Sequence, residues 1–255
     1  MLVLLFTVKL TAKSGQETKN LIARFSNNGE AKMKKVSEII AERLQKHGKT
    51  FRCNENISGF ISDHEYELLI REVQEKVQGV LSSLVIDTEN DHNTRETAKR
   101  VAKMFCREIF AGRFQPKPDI TAFPNHLDYD QLYISGPITV RSMCAHHWMP
   151  IVGKAYVGVF PGGKVIGLSK FNRLVDWVAS RPQIQEEMTV QIADEIERET
   201  EAAGVAVVIR AEHMCMTHRG VREHESDMST SVMRGKFRED PNLKNEFLQL
   251  IAQMK

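Results

Sequence analysis

The chain has 255 residues, which allows one large domain or two small ones with a sizeable apolar core. Apolar residues make up 42% of the chain, charged residues make up 27%, and the formal net charge is +2. This balance is typical of a globular protein and gives no general attraction to nucleic acid or to membranes. An anionic ligand would therefore have to be bound by a local cluster of Lys and Arg.

Cysteine usage and apolar runs limit the environment of the protein. The four cysteines are too scattered for a disulfide framework, which favours a reducing compartment, taken here as the cytoplasm. No apolar run in the sequence reaches the roughly 18 residues that a membrane-spanning helix needs. We therefore expect neither nucleic acid nor a membrane as a partner.

Residues 1–30 are predicted to form a poorly defined leader. The start of the chain is apolar, but it lacks the basic segment and the small-residue cleavage site of a signal peptide. Met33 lies directly before a helical pattern, so translation of the natural protein could begin there. Residues 31–61 are predicted to be an N-terminal helix and linker, with the helix over residues 31–46 and an irregular stretch over residues 51–60.

Two more helices are predicted in the first half of the chain. Ser62 and Glu65 have the spacing of a capping box, and an apolar stripe follows over residues 66–81. Another helix is predicted over residues 94–111, with Gly112 as its C-cap.

The pattern changes after the proline-containing residues 115–125. Alternating or β-branched stretches predict strands over residues 138–143, 151–160, 205–216 and 229–237. Helical patterns lie at residues 170–180, 183–203 and 241–254. Helices followed by a mixture of strands and helices predict an α+β fold with an antiparallel sheet.

The densest group of chemically active residues lies between the first two predicted strands, where Cys144, His146 and His147 fall within four positions. Cys215 follows late in the third predicted strand, with His213 two residues before it. Thiolates and imidazoles are the ligands that zinc favours, and three protein ligands leave a position for water, as in catalytic sites. The spacing alone does not choose between His146 and His147, and it leaves open that the two cysteines are ordinary buried thiols.

Further polar residues could bind an anion or a base, or could simply face solvent. The start of the helix over residues 170–180 could accept a phosphate, or could be a capped surface helix. An acid at the start of a helix could instead stabilise the helix dipole. The candidates are Arg100, Lys103, Ser169, Lys170, Arg173, Gln185, Glu186 and Arg219.

Taken together, these segments resemble GTP cyclohydrolase I in order and spacing. The resemblance rests on residues 144–147, 165–173, 181–186, 213–215 and 219–221, and it extends from about residue 62 to the end. It implies that residues 62–255 form a catalytic domain with the tunnelling fold, an antiparallel sheet with helices packed on one face, preceded by an N-terminal helical region. It also implies a homodecamer of two pentamers, with sites between subunits.

The resemblance implies conversion of GTP to 7,8-dihydroneopterin triphosphate and formate, a reaction of pterin biosynthesis. Zinc held by Cys144, His147 and Cys215 would activate the water that attacks guanine C8. Proton transfer would fall to His146 and His213. The residues do not distinguish folate, tetrahydrobiopterin and deazaguanine synthesis as the destination of the product.

The remaining site residues are carried over from the same resemblance. Glu186 would accept hydrogen bonds from the guanine edge, and Gln185 would add backbone contacts. Ser169 would lie near the ribose. The triphosphate would meet five cations, which are Arg100, Lys103, Lys170, Arg173 and Arg219.

The sequence departs from the family pattern at Ala145, where an acid is common, at Ala98, where a proline is frequent, and at His218. None of these is an assigned catalytic group, so we expect activity. Two competing hypotheses are a related tunnelling-fold enzyme that acts on another purine or pterin, and a non-catalytic zinc-stabilised binding protein. The Cys-His-Cys ligand set and the additional histidines favour the cyclohydrolase.

Overall fold

A computed structural model of the chain describes residues 34–254, so the predicted leader and Met33 lie outside the described residues. Within them the structure mixes α-helices and β-strands. The helices are α1 (Val36–Lys46), α2 (Asp63–Ser83), α3 (Thr97–Met104), α4 (Ala111–Phe114), α5 (Leu168–Ala179), α6 (Gln185–Thr200), α7 (Met214–Thr217), α8 (Lys236–Glu239) and α9 (Pro241–Gln253). The strands are β1 (Ala122–Pro124), β2 (Tyr133–Cys144), β3 (Pro150–Phe160), β4 (Lys164–Ile166), β5 (Pro182–Gln183), β6 (Gly204–His213) and β7 (Met228–Gly235).

The main sheet has five strands in the order β5-β2-β3-β6-β7. Its long pairs, β2 with β3, β3 with β6 and β6 with β7, are antiparallel, whereas the short β5 runs parallel to β2. The predicted α+β class and antiparallel sheet are therefore confirmed. The short strands β1 and β4, which form a separate antiparallel pair, were not predicted, because three residues are too few for an alternating pattern.

Helices α5 and α6 cover one face of this sheet. Their buried side chains, such as Phe171, Leu174 and Ile192, pack against inward-facing residues of β3 and β6, such as Val157 and Val207. This is the largest apolar core of the described residues, and burial of its aliphatic and aromatic side chains stabilises the sheet at about 25 cal/mol per Å² of apolar surface.

Helices α8 and α9 cover the opposite face, so the expectation of helices on one face is wrong. Phe237 and Phe247 pack there against Tyr156, Ala206 and Val208. Over residues 155–159 and 205–209 both alternating sets of side chains are buried. A strand that is apolar on both sides must be covered on both sides, and the C-terminal helices supply the second cover.

Helix α1 lies beside the N-terminal half of α2. Ile40 and Leu44 pack with Ile57 of the linker, and the Ser37 hydroxyl donates to a Glu72 carboxylate oxygen at 2.7 Å. The predicted capping box at Ser62 and Glu65 is confirmed, since each side chain bonds the other's backbone N–H.

The helix predicted over residues 94–111 is divided into three pieces. Helix α3 passes at Phe105–Ile109 into a π-helical segment, and α4 follows it. Gly112 is not a C-cap but lies inside α4, where a Cβ would collide with the carbonyl oxygen of Trp177. The glycine is needed there because α4 approaches the backbone of α5 directly.

Two other boundaries differ from the sequence prediction in ways that shape the site. The helix predicted from residue 183 begins only at Gln185, and Pro182 and Gln183 pair with Met143 and Cys144 as strand β5. The strand predicted over residues 205–216 ends at His213, and Cys215 lies in the short helix α7. Neither boundary is marked by a change in the hydrophobic pattern of the sequence, so both are determined by tertiary contacts.

No helix among the described residues is long and apolar enough to cross a membrane.

An ion pair between α1 and α2 generates a prediction about acid. Arg43 bonds both carboxylate oxygens of Glu65, at 2.5 and 2.9 Å. This contact, together with the Ser62 N–H, lowers the pKa of Glu65 from 4.5 to about 2. Because the folded pKa is lowered, the stabilisation is complete above pH ~4.5 and is lost as the pH falls towards 2.

We expect Glu65→Gln, which keeps the capping box but removes the charge, to increase hydrogen exchange of the α1 amides at pH 6 several-fold. The difference from the unmutated protein should become much smaller near pH 2, because Glu65 is then protonated in the unfolded chain and about half protonated in the folded one. Glu67→Gln, at an acid whose ion pair lies on the other side with Arg107, is the matched control. An equal effect of Glu65→Gln at both pH values would contradict the role of its charge.

Candidate metal and substrate site

The site is built around the hairpin turn that joins β2 to β3. The turn is closed by two backbone hydrogen bonds, from Cys144 N–H to Met149 O and from Trp148 N–H to Cys144 O, both at 2.9 Å. Trp148 has a φ of 51°, a left-handed conformation that non-glycine residues rarely adopt. The chain thus reverses tightly and displays His146 and His147 at the protein surface.

Strand β5 supports the turn from one side. The Ala145 N–H donates to the Gln183 carbonyl oxygen at 3.1 Å, directly beyond the register pair of Cys144 with Gln183. Because β5 leads at once into α6, this contact also places the first turn of α6 beside the β2–β3 turn. Strand β5, which the sequence did not predict, is therefore the element that joins the β2–β3 turn to the start of α6.

The potential metal ligands meet at this edge of the sheet. One ligand atom each from Cys144, His147 and Cys215 lies within 4.8 Å of the others. In a tetrahedral zinc site with Zn–S bonds of about 2.3 Å, ligand atoms lie roughly 3.5–3.8 Å apart. Small side-chain rotations would close that difference, so the donor set and its separation fit a tetrahedral ion with one open position.

The electrostatics of the two thiols also fit a cation. Burial raises the pKa of the Cys215 thiol above its ordinary value, and the neighbouring Cys144 raises it further, while Arg219 acts in the opposite direction. Two thiolates this close repel each other unless a positive ion lies between them. A divalent metal would remove that repulsion and hold both as thiolates.

His146 and His147 occupy different positions, which the sequence spacing had left open. The group that could hold a metal includes His147 and not His146. The two rings are 6.3 Å apart between centroids and inclined at 81°. His146 is exposed, so its ring is accessible to a ligand bound beside the metal.

His213 lies at the end of β6, where it pairs in register with Ile151 at the start of β3. Its Nε2 lies 2.8 Å from Oε1 of Gln185. Burial lowers the pKa of the His213 imidazole below its ordinary value, and the charge of Glu186 opposes this shift. A half-buried imidazole with a lowered pKa is neutral near pH 7, the form that can accept a proton.

Gln185 and Glu186 begin α6, and the first side chain is buried while the second is exposed. The Gln185 side chain is fully buried, and its amide bonds residues of β6 and β7. Glu186 is exposed and lines a cavity of about 370 Å³, together with residues of the linker and α6. The Gln185 side chain is thus occupied within the protein, whereas the Glu186 carboxylate is free to meet a ligand.

The neighbouring Glu187 has a structural contact instead. Its carboxylate accepts a hydrogen bond of 2.6 Å from the Asn54 amide. This bond ties the linker to the first turn of α6 and so forms part of the wall of the same cavity. Of the two adjacent acids, Glu186 is therefore the one available for recognition.

The predicted cations are spread over three elements. Arg219 follows α7 and is close enough to lower the pKa of Cys215. Ser169, Lys170 and Arg173 lie in the first half of α5, and the Lys170 ammonium donates to the Asp119 carbonyl oxygen at 2.9 Å. Arg100 and Lys103 lie exposed on α3.

An aromatic cluster, missed in the sequence, joins the turn to the α3 region. Trp148 contacts Phe105 and Phe110 edge-on, with ring centroids 5.2 and 5.4 Å away. Phe105 and Phe110 stack on each other at 5.2 Å. Both belong to the segment that continues α3, so the cluster links the β2–β3 turn to the helix that carries Arg100 and Lys103. No local pattern could have revealed it, because it depends on the left-handed backbone at Trp148.

The three departures from the family pattern lie outside the ligand cluster. Ala145 contributes its backbone N–H to the turn, Ala98 is buried within α3, and His218 is exposed after α7. Each ligand and histidine assigned from the resemblance is present.

Comparison with known proteins agrees with this geometry. A family model described as GTP cyclohydrolase I matches residues 73–252. The GTP cyclohydrolase 1 of Flavobacterium johnsoniae is 42% identical over 183 residues, which cover 71% of this chain and 81% of that protein. That of Pseudoalteromonas translucida is also 42% identical, over 71% of this chain and 97% of that protein. A GTP cyclohydrolase 1 of Pseudomonas syringae is 55% identical over 125 residues, 49% of this chain and 67% of that protein.

The family match covers most of the chain, and the identity extends over most of the length of these relatives. The chain therefore belongs to the GTP cyclohydrolase I family of enzymes.

Proposed function

We propose that the protein hydrolyses the imidazole ring of GTP and converts it to 7,8-dihydroneopterin triphosphate and formate. The observation that carries the proposal is the meeting of Cys144, His147 and Cys215 at one edge of the sheet, with His213 at the same strand end. The family to which the chain belongs supports GTP as the substrate.

Zinc is the metal proposed for this cluster. Two thiolates and one imidazole form a soft, three-ligand set of the kind found in catalytic zinc sites. Zinc bound there would supply Lewis-acid activation of the water that opens the ring at guanine C8. The role of the chain is to fix the geometry of the three ligands, which the turn and α7 do.

Proton transfer is assigned to His213 and His146. Ring opening requires a donor for the guanine N7, and later steps require the proton to be returned. His213 lies two residues from Cys215, burial lowers the pKa of its imidazole, and His146 adjoins the proposed ligand His147. Both can therefore exchange protons with a substrate that is bound at the metal.

Recognition of the substrate is assigned to the start of α6 and to the cations. The exposed Glu186 carboxylate would accept hydrogen bonds from the ring N–H and amino group of guanine, with backbone contacts from Gln185. Ser169 would lie near the ribose. The triphosphate would be bound by Lys170, Arg173, Arg219, Arg100 and Lys103, since about four negative charges require several cations.

We further propose that the subunits share the tunnelling fold and assemble as a homodecamer of two pentamers. The resemblance to the family supports sites that are completed between subunits, where Arg100 and Lys103 on α3 would meet the other phosphate-binding candidates. The four free thiols support a reducing compartment such as the cytoplasm.

The function is tested by incubating zinc-loaded protein with GTP. We expect equimolar formate and, after oxidation, a fluorescent pterin. Guanosine without phosphates is the control and should react far more slowly, because it cannot use the cation cluster. Zinc-bound, correctly assembled protein that yields neither product would refute the cyclohydrolase and favour a relative that acts on another purine or pterin.

The metal ligands are tested by elemental analysis of purified variants. Cys215→Ser should lose most of its zinc, because a serine hydroxyl is a poor substitute for a thiolate. Cys53→Ser, at an exposed cysteine outside the cluster, should keep zinc at the level of the unmutated protein. His146→Ala should also keep zinc but lose turnover. Zinc loss in that variant would mean that the roles of the two histidines are exchanged.

Guanine recognition is tested with Glu186→Gln. The variant loses a charge-assisted hydrogen bond, so we expect GTP to bind more weakly by about 2 kcal/mol, roughly 30-fold. Glu187→Gln is the matched control, since Glu187 bonds Asn54, and GTP affinity should be nearly unchanged. Equal effects of the two substitutions, measured by equilibrium binding, would argue against a specific role for Glu186.

A further inference from the structure

We infer that Gln185 is a positioning residue that holds His213 as the tautomer with its proton on Nε2, so that Nδ1 is the ring nitrogen left to exchange a proton with the ligand. The use made of that nitrogen rests on the proposed function. The tautomer itself follows from hydrogen bonds among the buried residues of α6, β6 and β7.

The orientation of the Gln185 amide is determined by its partners. Its Nε2 lies 3.1 Å from the Ile209 carbonyl oxygen and 3.0 Å from the Met228 carbonyl oxygen. Carbonyl oxygens only accept hydrogen bonds, so the group facing them must be the amide nitrogen. The reversed orientation would place an oxygen against two oxygens inside a buried site, which is strongly unfavourable.

The hydrogen bonds of two threonines require the same orientation of the Gln185 amide. The Thr189 hydroxyl donates its one hydrogen to the backbone carbonyl oxygen of Gln185 at 2.7 Å. In its 2.6 Å contact with Thr230, Thr189 must therefore accept, so Thr230 uses its own hydrogen there. Thr230 can then only accept from the Gln185 amide nitrogen, 3.0 Å away. The two amide hydrogens are shared among three acceptors, with no donor in conflict.

The orientation of the Gln185 amide determines which atom faces His213. With the nitrogen of Gln185 engaged, its Oε1 faces Nε2 of His213 at 2.8 Å. An amide oxygen has no hydrogen to give, so Nε2 must carry the proton and donate it. In the neutral ring the free lone pair is then on Nδ1.

The Gln185 amide is well suited to hold this state. The residue is fully buried and cannot rotate without breaking its bonds to the backbone of β6 and β7. It also carries no charge, so it orients the ring without converting it to an imidazolium, as a carboxylate in the same place would favour. Ring orientation and tautomer are thus determined by the sheet and not by the substrate.

The test uses zinc-loaded protein with ¹⁵N-labelled histidine, studied by solid-state NMR at pH 8. The His213 signal is identified by its absence in His213→Ala. In the unmutated protein we expect Nε2 to be protonated and Nδ1 unprotonated. In Gln185→Leu, which has a similar size but no acceptor, we expect the opposite tautomer or a mixture.

Gln183→Leu is the matched control, because Gln183 is equally buried but its side chain bonds Val178 and Ala179 instead. It should lose stability without changing the His213 signals. A His213 ring that is protonated on Nδ1 in the unmutated protein, or that is unaffected by Gln185→Leu, would overturn the inference.

Kinetics provide a second readout. We expect Gln185→Leu to keep its zinc and to lower kcat for GTP roughly 10- to 100-fold, a range typical of residues that orient a functional group, with little change in KM. In a His213→Ala background the same substitution should have almost no further effect on kcat. Additive losses would show that Gln185 does not act through His213. An unmutated protein that is inactive on GTP would refute the proposed function, while the NMR measurement would still test the tautomer.

Discussion

The site depends on the register of three antiparallel strands. Strand β3 pairs Ile151 with Ser142 of β2 on one side and with His213 of β6 on the other. This shared partner brings the end of β2 and the end of β6 to the same edge of the sheet, although they are far apart in the sequence. Cys144 and Cys215 follow those positions by two residues each. A shift of one residue in either pairing would turn the flanking side chains to the other face and separate the two thiols.

The start of α6 adds two side chains with different proposed roles to this edge of the sheet. Adjacent helical positions point about 100° apart, so one of two consecutive residues can face the core while the next faces solvent. Gln185 takes the inward position and reaches His213, and Glu186 takes the outward position beside the cavity. Strand β5 fixes both by pairing with Cys144 immediately before the helix begins. The residues proposed as metal ligands, proton-transfer group and base-recognition group are therefore aligned by one short connection.

Sequence patterns were sufficient wherever local chemistry decides. The capping box at Ser62 and the antiparallel sheet could be predicted from such patterns, whereas the grouping of Cys144 with Cys215 came from the resemblance to a known family. Sequence patterns failed where contacts between distant residues determine the local structure. A two-residue strand leaves no periodicity, so β5 was missed. Gly112 looked like a helix end, but its lack of a side chain serves a close approach to Trp177. The packing of helices on both faces of the sheet could have been predicted from the unbroken apolar run at residues 205–209.

The β2–β3 turn, which carries two of the proposed metal ligands, is held from two sides by contacts within the protein. On one side the Gln183 carbonyl accepts from Ala145, and on the other Trp148 packs against Phe105 and Phe110. A left-handed non-glycine residue is unfavourable by about 1–3 kcal/mol, so it persists only because such contacts stabilise it. Pre-ordering the turn lowers the entropic cost of binding a metal, because the ligands need only rotate their side chains. Because the aromatic contacts lie on the segment that continues α3, they also make the position of the turn depend on the helix that carries Arg100 and Lys103.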